Sequence, residues 1–101
     1  MEVLDVLGDP VRRRIVEALS SGSLTSGAIA ARFDISRPAI SQHLGALLAA
    51  GVVTVRPEGT RRVYALNPDA LDAAADWLEQ QRVRWNRGLD ALEQALDTGQ
   101  I

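Results

Sequence analysis

Residues 36–51, read as SRPAISQHLGALLAAG, constrain the fold more than any other stretch of the chain. Ser36 offers a side-chain oxygen to the free N–H groups of a helix start, and Pro38 fits the first turn, where no amide donor is needed. Gly51 suits the left-handed residue that closes the far end. At about 100° per residue, Ile40, Leu44, Leu47 and Leu48 fall on one side and must face a core. Pro38, Ser41, Gln42 and Gly45 fall on the other, and Arg37 sits in the first turn, able to reach past the helix end. This is a helix with an apolar back and a small, polar front.

The flanking segments fix its context. Asp9-Pro10 starts a helix that should run to about Ser20, with Val11, Ile15, Ala18 and Leu19 inward and Ser21-Gly22-Ser23 ending it. Before it, Val3, Leu4 and Leu7 suggest a short helix stopped at Gly8. Thr25 reads as the cap of a helix of about eight residues, whose inward side is Ala28, Ile29, Ala30 or Ala31, and Phe33. Asp34-Ile35 connects it tightly to the next helix, which completes a helix-turn-helix pattern. Val52 to Arg56 and Arg61 to Leu66 are rich in β-branched and aromatic residues around Pro57-Glu58-Gly59-Thr60, so they should pair as a hairpin, a wing. From Pro68 onward, Leu71, Ala75, Leu78, Trp85, Leu89, Leu92 and Leu96 follow a 4-3 spacing broken once, at Arg82. A helix of roughly 29 residues is about 44 Å long, more than so small a body needs for its own core, so the surplus apolar face should meet a second copy.

These elements predict a mainly α fold with a small β-hairpin, in the order α-α-α-α-β-β-α: a winged helix-turn-helix that dimerises through its terminal helices. The 101 residues suit one domain spanning 1–101, with the wing at about 52–66 and the dimerisation helix at about 68–97. No run of about 20 apolar residues occurs, and acidic groups stand where a secretory leader carries basic ones, so the expected location is the cytoplasm, away from membranes. With no cysteine and one histidine, disulfide, thiolate and most zinc chemistry drop out, and no cofactor is expected. No nucleophile, base and orienting group recur together, which argues against an enzyme.

The net charge of −2 looks unsuited to binding nucleic acid, yet the charges are segregated. Through Tyr64 there are eight arginines against six acids; beyond it, three against seven. Between Ile35 and Tyr64, Arg37, Arg56, Arg61 and Arg62 face a single acid, Glu58. On a helix in the major groove of double-stranded DNA, Arg37 suits guanine, Gln42 suits adenine, and Ser41 suits a base or a phosphate. The plainer reading of that face is an ordinary solvated surface. His43 borders the core side, where a hydrogen-bonded boundary residue or a phosphate contact is favoured over a metal ligand. Arg61 and Arg62 should point to opposite faces of their strand, so at most one naturally faces a given groove, unless the turn's flexibility lets both reach phosphate; the plainer reading is hairpin charges that discourage edge-to-edge association. Arg12, Arg13 and Arg14 spread around their helix and are expected to pair with acids such as Glu17 or with a partner's tail. Asp72, Asp76 and Glu79 share a face, read as solvated rather than cation-binding. Trp77 and Trp85 suit packing at a dimer interface, with a pocket for a small apolar inducer as the alternative.

The strings DPVRRRIVEAL, LTSGAIAARFDISRPAISQHLGALLAAGVV and RPEGTRRVYAL resemble the ArsR family of bacterial winged-helix repressors, from about Leu4 to Leu66, most specifically over Ser36 to Leu44. The tail DWLEQQRVRWNRGLDALEQAL is similar to the SdpR-like subgroup with an extended last helix. The resemblance implies a homodimeric repressor with two recognition helices in successive major grooves of a palindromic operator. It implies DNA contacts from Thr25, Ser26, Ser36, Arg37, Pro38, Ser41, Gln42 and His43, and from Arg56, Arg61 and Arg62 of the wing. The dimer interface would use Leu4, Leu7, Leu78, Trp85, Leu89, Leu92 and Leu96. Gly45 departs from the lysine or other polar residue common in the family. Metal-sensing members carry cysteine clusters or Asp and His sets that are missing here, so a non-metal signal or autoregulation is expected. A protein-binding winged helix that never reads DNA is the alternative.

Overall fold

The computed structural model describes residues 2–99. Helix α1 (Glu2–Val6) leads into α2 (Pro10–Leu19), strand β1 (Leu24–Thr25), α3 (Ser26–Ala30) and α4 (Arg37–Ala49). Strands β2 (Val53–Glu58) and β3 (Arg61–Leu66) follow, then the 30-residue helix α5 (Pro68–Asp97). The fold is a winged helix-turn-helix, and its helix ends are made as the local sequence dictates. Asp9 Oδ1 accepts from the N–H groups of Val11 and Arg12 at 2.8 and 3.1 Å. Thr25 Oγ1 accepts from Ala28 N–H at 3.1 Å, and Ser36 Oγ from Ala39 N–H at 3.2 Å. Gly51, at φ 76°, closes α4: its N–H reaches Leu48 O and that of Val52 reaches Leu47 O, both at 3.0 Å, which is the Schellman pairing.

Three local features differ from the sequence reading. Strand β1 was not expected; it pairs Leu24 with Tyr64 and Thr25 with Val63, giving a three-stranded sheet in the order β1-β3-β2. Two residues are too few to show a period of two, and Thr25 signals only its capping role. Helix α3 has five residues rather than about eight, because the chain then tightens into i→i+3 bonds, Arg32 N–H to Ile29 O and Phe33 N–H to Ala30 O. Ile29 alone of its expected inward residues is buried; Ala28 and Ala31 are exposed, and Phe33 is half-buried with the Arg14 guanidinium 5.0 Å from its ring centre. The hairpin strands run on through Pro57 and Glu58, leaving Gly59-Thr60 as the loop, with Gly59 at φ 62° in its first position. A positive φ there matches the right-handed twist of the strands, and Pro57 is tolerated because β2 is an edge strand.

The core is made by Val3 of α1, Ile15 and Leu19 of α2, Ile29 of α3, Ile40, Leu44 and Leu47 of α4, and Val52, Val53, Val63 and Tyr64 at the sheet. Ile15, Ile29, Leu47 and Val52 are fully buried, each contributing about 1.5–3 kcal/mol of apolar burial. Asn67 joins the end of α4 to the exit of the sheet: its N–H bonds Val52 O and its amide Nδ2 bonds Gly51 O, both at 2.9 Å. Packing divides the chain after Leu71. The part through Leu71 holds this core; from Asp72 onward the regular structure is α5 alone. On that helix Leu78, Trp85, Leu89, Leu92 and Leu96 are all exposed, as is Trp77. No described helix is long and apolar enough to cross a membrane.

Candidate nucleic-acid interface

The outer side of α4 follows from its inner side. Because Ile40, Leu44 and Leu47 are driven into the core, the 3.6-residue period leaves Arg37, Pro38, Ser41, Gln42 and Gly45 exposed. Two hollows border this surface. The first, about 170 Å³, is lined by Ser26, Gly27 and Ala30 of α3, Arg37, Ile40, Ser41 and Leu44 of α4, and Arg62 and Tyr64 of β3. The second opens beside it between the start of α3 and the hairpin loop, lined by Thr25, Ser26, Gly27, Ala28, Arg37, Thr60, Arg61 and Arg62. No acidic side chain lines either, and among the described residues neither Arg37, Arg61 nor Arg62 has a carboxylate within 4.0 Å. Three guanidinium groups from two elements therefore hold a positive field over one concave surface.

The sheet register explains how both wing arginines reach it. Arg62 shares the face of Tyr64, which looks into the first hollow, while Arg61 stands next to the two-residue loop, where the strand ends and alternation no longer confines it. Arg56 lies elsewhere: it is exposed on β2, with Nη2 3.3 Å from Glu58 Oε2. Thr25 and Ser36 spend their hydroxyl oxygens as helix caps, which leaves each O–H free to donate outward. Ser26 lines both hollows. His43 is half-buried, and its Nδ1 accepts a hydrogen bond from Arg12 Nε at 3.2 Å, 31 residues away in sequence.

Of the basic run 12–14, none pairs with Glu17. Arg12 bonds His43, Arg13 Nη1 donates to Leu7 O at 3.4 Å, and Arg14 covers Phe33. The sequence reading missed Gly27 and Thr60, which complete the hollows, and the Arg12–His43 bond. Gly27 carries no chemistry that a motif could announce. Asp9 is held below the ordinary carboxylate range, first by the backbone N–H of Arg12, with desolvation next in size opposing it and the Val11 N–H and the Arg12 charge lowering it further.

Comparison with known proteins agrees with this geometry. A family model described as a helix-turn-helix domain matches residues 7–56. The HTH-type transcriptional regulator Rv2034 of Mycobacterium tuberculosis is 45% identical over 91% of this chain and 83% of its own length. The transcriptional repressor SdpR of Bacillus subtilis is 38% identical over 75% of this chain and 84% of its own. Among solved structures, an ArsR-like transcriptional regulator from Rhodococcus sp. RHA1 superposes with a TM-score of 0.80 at 32% identity, covering 92% of this chain and 88% of that one. With an exposed helix face, an acid-free basic hollow and relatives of this extent, the chain belongs to the ArsR family of winged helix-turn-helix regulators, sequence-specific DNA-binding proteins of transcription that are not enzymes.

Proposed function

We propose that the chain is a homodimeric, cytoplasmic repressor that reads a palindromic operator. The observation that carries this reading is the joint placement of Arg37, Arg61 and Arg62 around the exposed front of α4. In the proposed complex α4 enters the major groove, Arg37 pairs with guanine, Gln42 with adenine, and Ser41 bonds a base edge or phosphate. Pro38 packs against the groove wall, while Thr25, Ser26 and Ser36 donate to the backbone. Arg61 and Arg62 hold the flanking strand or the minor groove, and Arg56 adds only long-range attraction, being engaged with Glu58.

Two copies join through the exposed apolar residues of α5, namely Leu78, Trp85, Leu89, Leu92 and Leu96, with Leu4 and Leu7 near α1 contributing. Half-sites then lie about one helical turn apart, roughly 34 Å. The 38% identity with the repressor SdpR over 75% of the chain supports the subgroup assignment, with autoregulation as the proposed control. The lack of cysteine, and a single imidazole that lies on α4 bonded to Arg12, support a non-metal releasing signal. A hollow on α5 is lined by Glu79, Gln80, Val83, Arg84 and Arg87, without either tryptophan; a small apolar inducer at Trp77 and Trp85 is proposed to bind between two copies.

Selection of duplexes from a random pool with the purified chain, followed by gel-shift titration, tests the reading. A palindromic consensus is expected, and Arg37→Ala should cost about 1–3 kcal/mol on it. Failure to enrich any sequence at low salt, or an unchanged Arg37→Ala variant, would falsify it.

A further inference from the structure

His43 lies on the reading helix but faces away from the basic hollow, and its surroundings explain why. Its side chain is 19% exposed, and Nδ1 accepts from Arg12 Nε at 3.2 Å. Arg12 is in the first turn of α2, where its own N–H bonds Asp9 Oδ1 at 3.1 Å. That same Oδ1 lies 4.0 Å from His43 Nδ1, too far for a hydrogen bond. A chain of polar contacts thus runs from the capped start of α2 to the flank of α4, one residue beyond Gln42 and two beyond Ser41.

Ile40, Leu44 and Leu47 hold α4 against the core, and burial, being non-directional, sets the roll about the helix axis less finely than a directional bond does. For a side chain about 6 Å from the axis, a roll of roughly 10° moves its tip by about 1 Å. Bidentate hydrogen bonds to a base edge tolerate about half that error. A directional bond at the helix flank removes this freedom.

We propose that His43 is a positioning residue for DNA reading: the Asp9–Arg12–His43 chain sets the roll of α4. This rests on the reading of α4 as the recognition helix. The other charged groups bordering α4 are placed elsewhere. Glu2 and Asp5 of α1 border a hollow with Ala46, Ala49 and Ala50, further along the helix. On β2, Arg56 and Glu58 are paired with each other, and α4 itself carries only Arg37.

The test uses the full chain, with anisotropy titrations at one pH on the selected operator and on a scrambled duplex. His43→Ala should lose about tenfold on the operator and under about threefold on the scrambled duplex, where phosphate charge dominates. His43→Asn places an amide oxygen near the old Nδ1 position; it should keep operator affinity within about threefold. Arg12→Leu combined with His43→Ala should be no worse than the weaker single variant. Circular dichroism melts establish that each variant is folded at the assay temperature.

Full operator affinity in folded His43→Ala overturns the proposal. So does an equal loss for His43→Ala on the operator and on the scrambled duplex, because a direct phosphate contact behaves that way. Arg37→Ala separates the two levels: if it and the unaltered chain fail alike to prefer the operator, the reading of α4 falls and the proposal with it.

Discussion

Arg37 and Gly27 meet across the helix-turn-helix: a Cβ built on the glycine would lie 3.6 Å from Arg37 Nη2. The guanidinium therefore rests against the start of α3 rather than standing free in solvent, and the smallest side chain beneath it sets how close the two helices' tips can approach. A methyl group at 3.6 Å makes ordinary van der Waals contact and needs no adjustment. Gly27→Ala should stabilise the fold by about 0.4–1 kcal/mol through the unfolded chain's lost freedom, with operator affinity within about twofold. Gly27→Leu should keep the fold but displace the guanidinium, lowering operator affinity about tenfold. Thermal melts and gel shifts of the two variants check both halves.

The arginines of the wing divide into one pair in the hollow and one engaged with an acid. Arg62 lines both hollows, whereas Arg56 spends its charge on Glu58 two residues away. Arg62→Ala should weaken binding to all duplexes and reduce the salt slope by about one, the signature of one lost phosphate contact. Arg56→Ala should leave the slope unchanged. Titrations at several salt concentrations decide, and equal slopes for the two variants would contradict the division.

These relationships mark the boundary of what was legible in the sequence. Asp9, Ser36 and Gly51 act within four residues of themselves, so caps and helix ends follow from local chemistry. The exposed face of α4 was equally legible, because Ile40, Leu44 and Leu47 fix its phase. Strand β1 was not, since its partners Tyr64 and Val63 lie about forty residues away and its two residues carry no period. Nor was the Arg12–His43 bond, which needs the crossing of α2 with α4 before either residue has a partner. Arg61 and Arg62, neighbours at the start of β3, both line one hollow beside the loop.

Asp9 gives the fold a dependence on acid. Its carboxylate caps α2 through the N–H groups of Arg12 and Val11, and these bonds hold its pKa below the ordinary value. A depressed folded-state pKa contributes stability above the unfolded value and loses it as pH falls through the folded one. Asp9→Ala should therefore lower the melting temperature by several degrees at neutral pH, with the difference from the unaltered chain closing below about pH 4. Asp9→Asn, which caps well without ionising, should melt close to the unaltered chain at pH 7 and show a shallower decline in acid. A parallel decline for Asp9→Asn and the unaltered chain would assign the acid sensitivity to other carboxylates.

On α5, Arg82 interrupts the apolar spacing and is drawn sideways to Glu79, with its Nε and Nη2 at 3.0 and 2.6 Å from the two carboxylate oxygens. The pairing lowers the pKa of Glu79 and raises that of Arg82, so both stay charged at neutral pH. The apolar positions beyond it, Trp85, Leu89, Leu92 and Leu96, are between 45 and 69% exposed, a run that water covers unless a second chain does. If two copies join there, Leu89→Glu with Leu92→Glu sets four carboxylates into the joint, and each loses water it cannot replace. The variant should sediment as a monomer at concentrations where the unaltered chain is a dimer. Operator affinity should drop by more than about a hundredfold, because two linked half-site contacts become two independent ones. Retention of the dimer would place the joint away from Leu89 and Leu92, and the same substitutions at Leu4, Leu7 and Leu78 would then locate it.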